Sequence, residues 1–344
     1  MKYTNSYLNE LTKYVEDMRW NSFCGKTILI TGVTGMIGSA LADLLCFASE
    51  KYDLRIQVIG VVRSLDRAEQ RFGVLFRNKV GDFRIVEHDV IHRLELDESV
   101  DYIVHAASNA YPAVFASEPV ETMLANFDGT HHMLELARLT GARLLYVSSG
   151  EVYGETDKEI KTETDYGYVD SMLPRSCYPN GKRAAETLCA AYVAEYGVEA
   201  VVARPSHVYG PTMTSRDNRA VSEFIREVVA GHDIELRSSG QMVRTYTYVL
   251  DVATALLTLL DRGYSGEAYN VADADSVVSL RELAELIAAA GNRQVVFKHI
   301  SDTDSASCTP ISRQVMSDDK LRALGWQCRC DIKTGIAVTL ASLR

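Results

Sequence analysis

The feature that most restricts the fold is a strand–turn–helix signature at residues 26–47. The run Lys26-Thr-Ile-Leu-Ile-Thr31 is short and β-branched, as a buried strand requires, and residues 36–47 carry a helical pattern. Between them lies Thr31-Gly-Val-Thr-Gly-Met-Ile-Gly38. With this spacing Gly32 permits a tight turn, Gly35 lets the backbone approach a pyrophosphate, and Gly38 allows close helix–strand packing. The helix N-terminus then offers N–H groups and a partial positive charge to phosphates. Three glycines alone say little. Following a strand and opening a helix, they predict dinucleotide binding through Gly32, Gly35, Met36, Ile37 and Gly38.

The same rhythm continues downstream. Strand-like apolar runs recur at residues 56–62, 83–86, 102–105, 144–147 and 198–203, with helical patterns between them, notably at 119–139 and 179–196. Strands alternating with helices of this length specify βαβ units. The expected class is therefore α/β, a Rossmann-type doubly wound parallel sheet with right-handed connections and ligands at the carboxyl ends of its strands. After Pro205 the rhythm changes. Helices at 221–229, 250–261 and 280–290 mix with short strands at 234–236 and 268–271, the pattern of a smaller C-terminal α/β substrate lobe. The expected division is a helical extension over 1–24, a Rossmann domain over 25–204 and a mainly substrate-binding lobe over 205–344, with residues of about 240–272 returning to the Rossmann domain. In the extension, Tyr7, Leu11, Tyr14, Val15 and Met18 recur at mostly three- or four-residue steps, forming an amphipathic helix that packs on the main fold or on a partner subunit.

Composition narrows the function. The formal net charge is −10 with no block of Lys or Arg, which argues against nucleic acid and anionic membrane surfaces yet leaves room for a local basic pocket. There is no window of about 18 uncharged apolar residues and no basic-then-apolar leader, so the expected setting is cytoplasmic without membrane attachment. The seven cysteines are odd in number and scattered. Only Cys328 and Cys330 are close in sequence, and no second pair or nearby histidine supports a metal site, so reduced thiols and no metal are expected.

Where a ribose-binding acid would end the second strand, Val62 runs into Arg63-Ser64. Arg63 suits a 2′-phosphate, hence NADP, or stacks on adenine with NAD; both stay open. Asp89, beside Val90, is placed to meet the adenine edge or to cap a turn. Further on, Cys177-Tyr-Pro-Asn-Gly-Lys182 places Tyr178 and Lys182 on one helix face. A tyrosine is a poor base at neutral pH, and an adjacent ammonium together with a nicotinamide's positive charge favours its phenolate. Ser149, ending the strand before it, can hold the same substrate hydroxyl. The trio suits hydride transfer, with Tyr178 taking the hydroxyl proton, Ser149 orienting the hydroxyl, and Lys182 tuning Tyr178 and holding the ribose.

Taken with Asn126-x-x-Gly-Thr130, Ser148–Gly154, Arg204-Pro-x-x-x-Tyr-Gly-Pro211, Arg244-Thr-Tyr-Thr-Tyr-Val-x-Asp251 and Leu324-Gly-Trp326, these motifs resemble the extended short-chain dehydrogenases/reductases that modify nucleotide sugars. The likeness runs from Gly25 over nearly the whole chain. Within that family the block Pro174-Arg-Ser-Cys-Tyr-Pro-Asn-Gly-Lys-Arg-Ala-Ala-Glu-Thr187 is most similar to UDP-glucuronate decarboxylases. The resemblance implies a tightly bound, recycled NAD or NADP and a nucleotide-sugar substrate, a UDP-sugar foremost. It implies oxidation at the sugar C4, chemistry activated by the 4-ketone, and return of the hydride. It adds Ala106, Ala107, Asn126 and Arg204 to the cofactor site, and Gly150, His207 and Arg244 to the substrate site. Arg244 corresponds to an arginine that contacts the diphosphate or a sugar carboxylate, whereas His105 reads as a packing residue. Glu151 corresponds to a glutamate of decarboxylases and 4,6-dehydratases at the C5–C6 end of the sugar, which simple 4-epimerases usually lack. Helices 119–139 and 179–196 correspond to a four-helix homodimer interface. Three features depart from the pattern: Gly150 stands where decarboxylases have serine and dehydratases aspartate, His207 where asparagine is usual, and Pro179-Asn180 where many decarboxylases have an acidic pair. Decarboxylase, 4-epimerase, 4,6-dehydratase and a cofactor-binding protein without turnover all stay open here, with the first favoured.

Overall fold

The structure, a computed structural model, describes residues 4–78, 82–298 and 311–344; Cys308 lies outside them. Six strands appear in chain order: β1 (Thr27–Thr31), β2 (Gln57–Val62), β3 (Asp82–Glu87), β4 (Tyr102–His105), β5 (Arg143–Val147) and β6 (Ala200–Pro205). Next come β7 (His207–Tyr209), β8 (Ile234–Leu236), β9 (Val243–Tyr248) and β10 (Ala268–Val271). The first six join β10 in a seven-stranded, all-parallel sheet of order β10-β6-β5-β4-β1-β2-β3. Every residue of β1 is buried. A central parallel strand covered on both faces needs a continuous apolar run rather than alternation, which is what Ile28, Leu29 and Ile30 supply between two threonines.

Helices cover both faces. Helix α1 (Asn5–Asp17) precedes α2 (Met36–Tyr52), which follows β1, and α3 (Leu65–Asn78) follows β2. Helices α4 (Pro112–Ser117) and α5 (Pro119–Thr140) link β4 to β5, α6 (Cys177–Tyr196) leads into β6, and α7 (Ala220–Ala230) and α8 (Val249–Arg262) follow. The core on one face is built from α2 and α8; the core on the other contains Met133, Leu134, Ala185 and Cys189 of α5 and α6. Helix α1 lies on the first face, where Tyr7, Leu11, Tyr14 and Val15 are buried and the Tyr7 hydroxyl donates to the buried Asp43 at 2.7 Å.

A second sheet forms around β9, which pairs with β7, β11 (Val277–Ser279) and β13 (Arg313–Gln314); β8 pairs with β12 (Val295–Phe297). The segment Val249–Val271 leaves β9 and returns to the main body as α8 and β10. Strand β9 gave no strand signal in the sequence because Arg244 to Tyr248 are all buried, so polar and apolar side chains do not alternate toward water.

The order of the main sheet reverses beside β1, between the β2 and β4 sides, and this switch point opens the crevice. Gly32 sits there with φ +66°, and a Cβ on it would come within 2.8 Å of the Ala106 carbonyl and the Ala107 backbone. The approach is held by Thr31, whose hydroxyl accepts from the Ala107 N–H at 3.1 Å and contacts the His105 ring nitrogen at 2.7 Å. Gly32→Ala, combining a left-handed φ with a backbone clash, is expected to lower stability by about 1–3 kcal/mol, read by equilibrium urea unfolding.

Candidate active site

The carboxyl ends of β1, β2, β4, β5 and β6 open into two adjoining cavities of about 780 and 170 Å³ that share Gly32, Gly35, Ala106, Ser108 and Tyr111. The larger is walled by Gly32 and Gly35, by Val62, Arg63 and Ser64 after β2, by Asp89 and Val90, and by Ala106 and Ala107. The smaller brings Met36, Ile37 and Gly38 of α2 against Ser149, Gly150, Glu151, Tyr178, Lys182 and His207.

These residues fit a dinucleotide. Gly35 caps α2 without any side-chain hydrogen bond, so the first amides of that helix are left to a ligand at the junction of the cavities. Asp89 both lines the larger cavity and accepts from the Ile91 N–H at 3.3 Å, so it serves a turn as well as the wall. No carboxylate ends β2. Arg63, Arg67 and Arg216 line the same cavity there; burial, and then the neighbouring Arg216 and Arg63 charges, push the Arg67 pKa down.

Tyr178 and Lys182 lie in the first turns of α6, both buried. The Lys182 ammonium donates to the Val147 carbonyl at 2.7 Å and sits 4.7 Å over the Tyr146 ring and 5.8 Å from the Tyr178 ring centre. Burial pulls its pKa down to about 7, against the opposing pull of Glu186. The expected lowering of the phenol is not what the protein's own groups produce. Burial, then the Glu151 charge, push Tyr178 up to about 12, with a hydrogen bond from Ser149 and the charges of Arg219 and Arg175 acting the other way. Desolvation wins because the phenolate is the charged form. Phe115 stacks on the Tyr178 ring at 4.5 Å and 17°.

Glu151 pairs with Arg175, 2.9 Å away, whose guanidinium lies 5.0 Å over Phe115. The glutamate thus both lines the cavity and ties down its rim. His207 faces the cavity with a pKa lowered to about 3, by burial and then by Arg244 and Arg219, so it is a neutral imidazole.

Three expected contacts lie elsewhere. Arg204 is buried and lines neither cavity; it donates to Glu186 at 2.7 and 3.0 Å, to Tyr153 at 3.1 Å and to the Glu163 carbonyl at 2.8 Å. Asn126 donates to the Thr122 carbonyl at 2.7 Å and accepts from Tyr146, which fastens α5 to β5. Arg244 is buried with its guanidinium donating to the carbonyls of Val243, Ser312 and Ile311. In each case the side chain is satisfied inside the protein, Asn126 by its own helix and Tyr146, Arg204 and Arg244 mainly by segments farther along the chain. Conversely, Arg219, Gln314, Tyr111, Arg67 and Arg216 line the cavities and belong to none of the motifs read from the sequence. Among the described residues no group of three or more His, Cys, Asp or Glu is arranged for a metal.

The sequence pattern of the NAD dependent epimerase/dehydratase family matches residues 28–272. The chain belongs to this family. It is 32% identical over 323 residues to UDP-glucuronic acid decarboxylase 1 of Xenopus tropicalis, covering 93% of this chain and 72% of that one. Similar solved structures include the UDP-glucose 4-epimerase of Thermotoga maritima with UDP-glucose, at TM-score 0.75 and 23% identity, covering 92% of this chain and 98% of that one. A dTDP-glucose 4,6-dehydratase of Streptomyces venezuelae with NAD bound has TM-score 0.75 and 21% identity, covering 92% and 96%. Those two likenesses carry the fold.

Because Arg204 anchors on Glu186, Glu186→Gln should lower stability by about 3 kcal/mol by leaving a buried guanidinium underpaired. Thermal unfolding of the variant checks this.

Proposed function

We propose that the chain converts a nucleotide sugar by transient oxidation at C4, and that the reaction is decarboxylation of a UDP-glucuronate-type substrate. The observation that carries this reading is Glu151 beside Ser149 and Tyr178 in one cavity, on a chain similar over 93% of its length to UDP-glucuronic acid decarboxylases. A nicotinamide cofactor, NAD or NADP, held by Gly32, Gly35, Ala106, Ala107 and Lys182, would supply the hydride acceptor for C4, the returning hydride, and the positive ring charge that brings the Tyr178 phenol down. Tyr178 takes the proton of the C4 hydroxyl, and Ser149 hydrogen-bonds the same oxygen. With C4 a ketone, the C6 carboxylate is β to a carbonyl. Cleavage of the C5–C6 bond releases CO2 and leaves its electron pair in an enolate, which the ketone oxygen carries. Glu151 relays a proton to C5, and Tyr178 returns its proton to the C4 oxygen.

Two finer assignments accompany this reading. The Arg63, Arg67 and Arg216 cluster, with no acid ending β2, favours a cofactor bearing a 2′-phosphate, hence NADP. The exposed apolar side chains Val120, Met123, Leu124 and Phe127 on α5 favour a homodimer through α5 and α6. The sugar would lie between the main sheet and the C-terminal residues His207, Arg219 and Gln314, which gives residues 205–344 their role as a substrate lobe. No helix among the described residues is long and apolar enough to cross a membrane.

Incubation of the purified protein with UDP-glucuronate is expected to yield a product lighter by one CO2, read by mass spectrometry. Loss of one water instead, or an isomer of unchanged mass, would replace decarboxylation with dehydration or epimerisation. Tyr178→Phe and Glu151→Gln should each slow turnover by about 10²–10⁴-fold without loss of cofactor affinity. The cofactor released on denaturation should be NADP, and Arg67→Ala should weaken NADP binding about tenfold with little effect on NAD; recovery of NAD alone would overturn that assignment. Phe127→Glu should convert a dimer to a monomer in light scattering.

A further inference from the structure

The buried lysine of the small cavity has no carboxylate to hold it as a cation. Lys182 is 2% exposed and makes no ion pair among the described residues; its amine donates to one acceptor there, the Val147 carbonyl. Glu186, one turn further along α6, favours the charged form through its own charge, but both its oxygens are taken by Arg204 and Ser148. An ammonium removed from water with so few partners tends to lose its proton. What lies against it instead is aromatic: the Tyr146 ring, with Nζ 4.7 Å from its centre, and more distantly the Tyr178 ring. A ring face carries partial negative charge, and its attraction for a cation grows as water is excluded.

Tyr146 is itself locked in place. It is fully buried on β5, and its hydroxyl donates to the Asn126 carboxamide oxygen of α5 at 3.5 Å. Against its ring lies His105 of β4, with ring centres 5.7 Å apart and planes at 28°. Burial, then the Lys182 charge, hold the His105 pKa down at about 3, so this imidazole is neutral and brings no second positive charge to the ring. His105 is fixed in turn through Nδ1 by the Thr31 hydroxyl, 2.7 Å away. Thr31, His105 and Tyr146 stand opposite one another in the register of β1, β4 and β5, so a packed row runs from the glycine turn to Lys182. The charged and titratable groups around the Lys182 amine are Glu186, Cys189 and Tyr178 of its own helix, Tyr146 of β5 and His105 of β4. Helix α5 presents the uncharged Asn126 and Thr130 to the Tyr146 hydroxyl.

We infer that Tyr146 is a positioning residue for Lys182, its ring face holding the buried amine as an ammonium beside Tyr178. This rests on the reading of Tyr178 and Lys182 as the proton-transfer pair. An aliphatic side chain at position 146 would fill the same core but offer no π-face, and the amine would be left with the Val147 carbonyl alone. Without its proton Lys182 could no longer draw the Tyr178 phenol toward the phenolate. The ring thus links the wall of the nucleotide turn to the charge state of the catalytic pair.

The test uses the full chain with its cofactor and with lysine isotopically labelled at Cε. The Lys182 resonance, assigned by its loss in Lys182→Arg, is titrated by NMR. Tyr146→Phe, which keeps the ring and drops the hydroxyl, should leave the Lys182 midpoint at the parent's value. Tyr146→Leu, which removes the ring face, should lower it by about one pH unit. Urea unfolding shows that each variant is folded, and Tyr146→Met takes the place of a leucine variant that is not. Because the ammonium is the working form, the falling high-pH limb of UDP-glucuronate turnover should move down with the midpoint in Tyr146→Leu and stay in place in Tyr146→Phe. If the aliphatic variant keeps the parent's midpoint, or if Tyr146→Phe lowers it as far, the inference is overturned and the proposed function stands. If the parent turns over no UDP-glucuronate at any pH, the proposed reaction falls and the NMR midpoints decide the inference by themselves.

Discussion

The rest of the site depends on one close approach, the glycine turn after β1 pressed against the Ala106–Ala107 backbone at the end of β4. Gly32 tolerates it because the position needs both a left-handed backbone and no side chain. Both cavities take Gly32, Gly35 and Ala106 as common wall, so this contact sets where α2 presents its amides and how a dinucleotide could thread from one chamber to the other. A side chain there would part β1 from β4 at the switch point.

Burial then decides the electrostatics. Tyr178 is pushed up to about 12, Lys182 down to about 7 and His207 down to about 3, all with desolvation as the first cause. A water-poor pocket disfavours every charged form, so its reactive groups rest near neutrality. The one carboxylate among them, Glu151, is held by Arg175 at the rim. Charge that would turn the Tyr178 phenol into a base therefore has to arrive with the ligands, which couples proton transfer to a filled site.

How much of this the chain discloses beforehand follows from how local each feature is. The glycine turn, the paired Tyr178 and Lys182, and Ser149 at a strand end depend on neighbours within a few residues, and the fold places them together in the small cavity. For Arg204 and Arg244, which the family likeness puts at ligands, the partners come from elsewhere in the chain: Arg204 meets Glu186 and Tyr153, and Arg244 meets carbonyls of the segment before β13. Sequence spacing carries no trace of such pairings. Gln314 and Arg219 were invisible for the same reason, since only the packing of the second sheet against the first brings them to the cavity. Gly150, a departure from the family pattern when read alone, becomes intelligible once Met316 and Gln314 are seen to occupy its side-chain space.

In the proposed reaction the sugar C4 is oxidised and then reduced again within one site, with Tyr178 handling the proton of its hydroxyl. Its most direct test is turnover of UDP-glucuronate carrying deuterium at C4, in ordinary water, with the position of the label read by NMR. The expected result is slower turnover than with protium, and deuterium retained at C4 of the product with none at C5. Deuterium lost from C4, or found at C5, would contradict it.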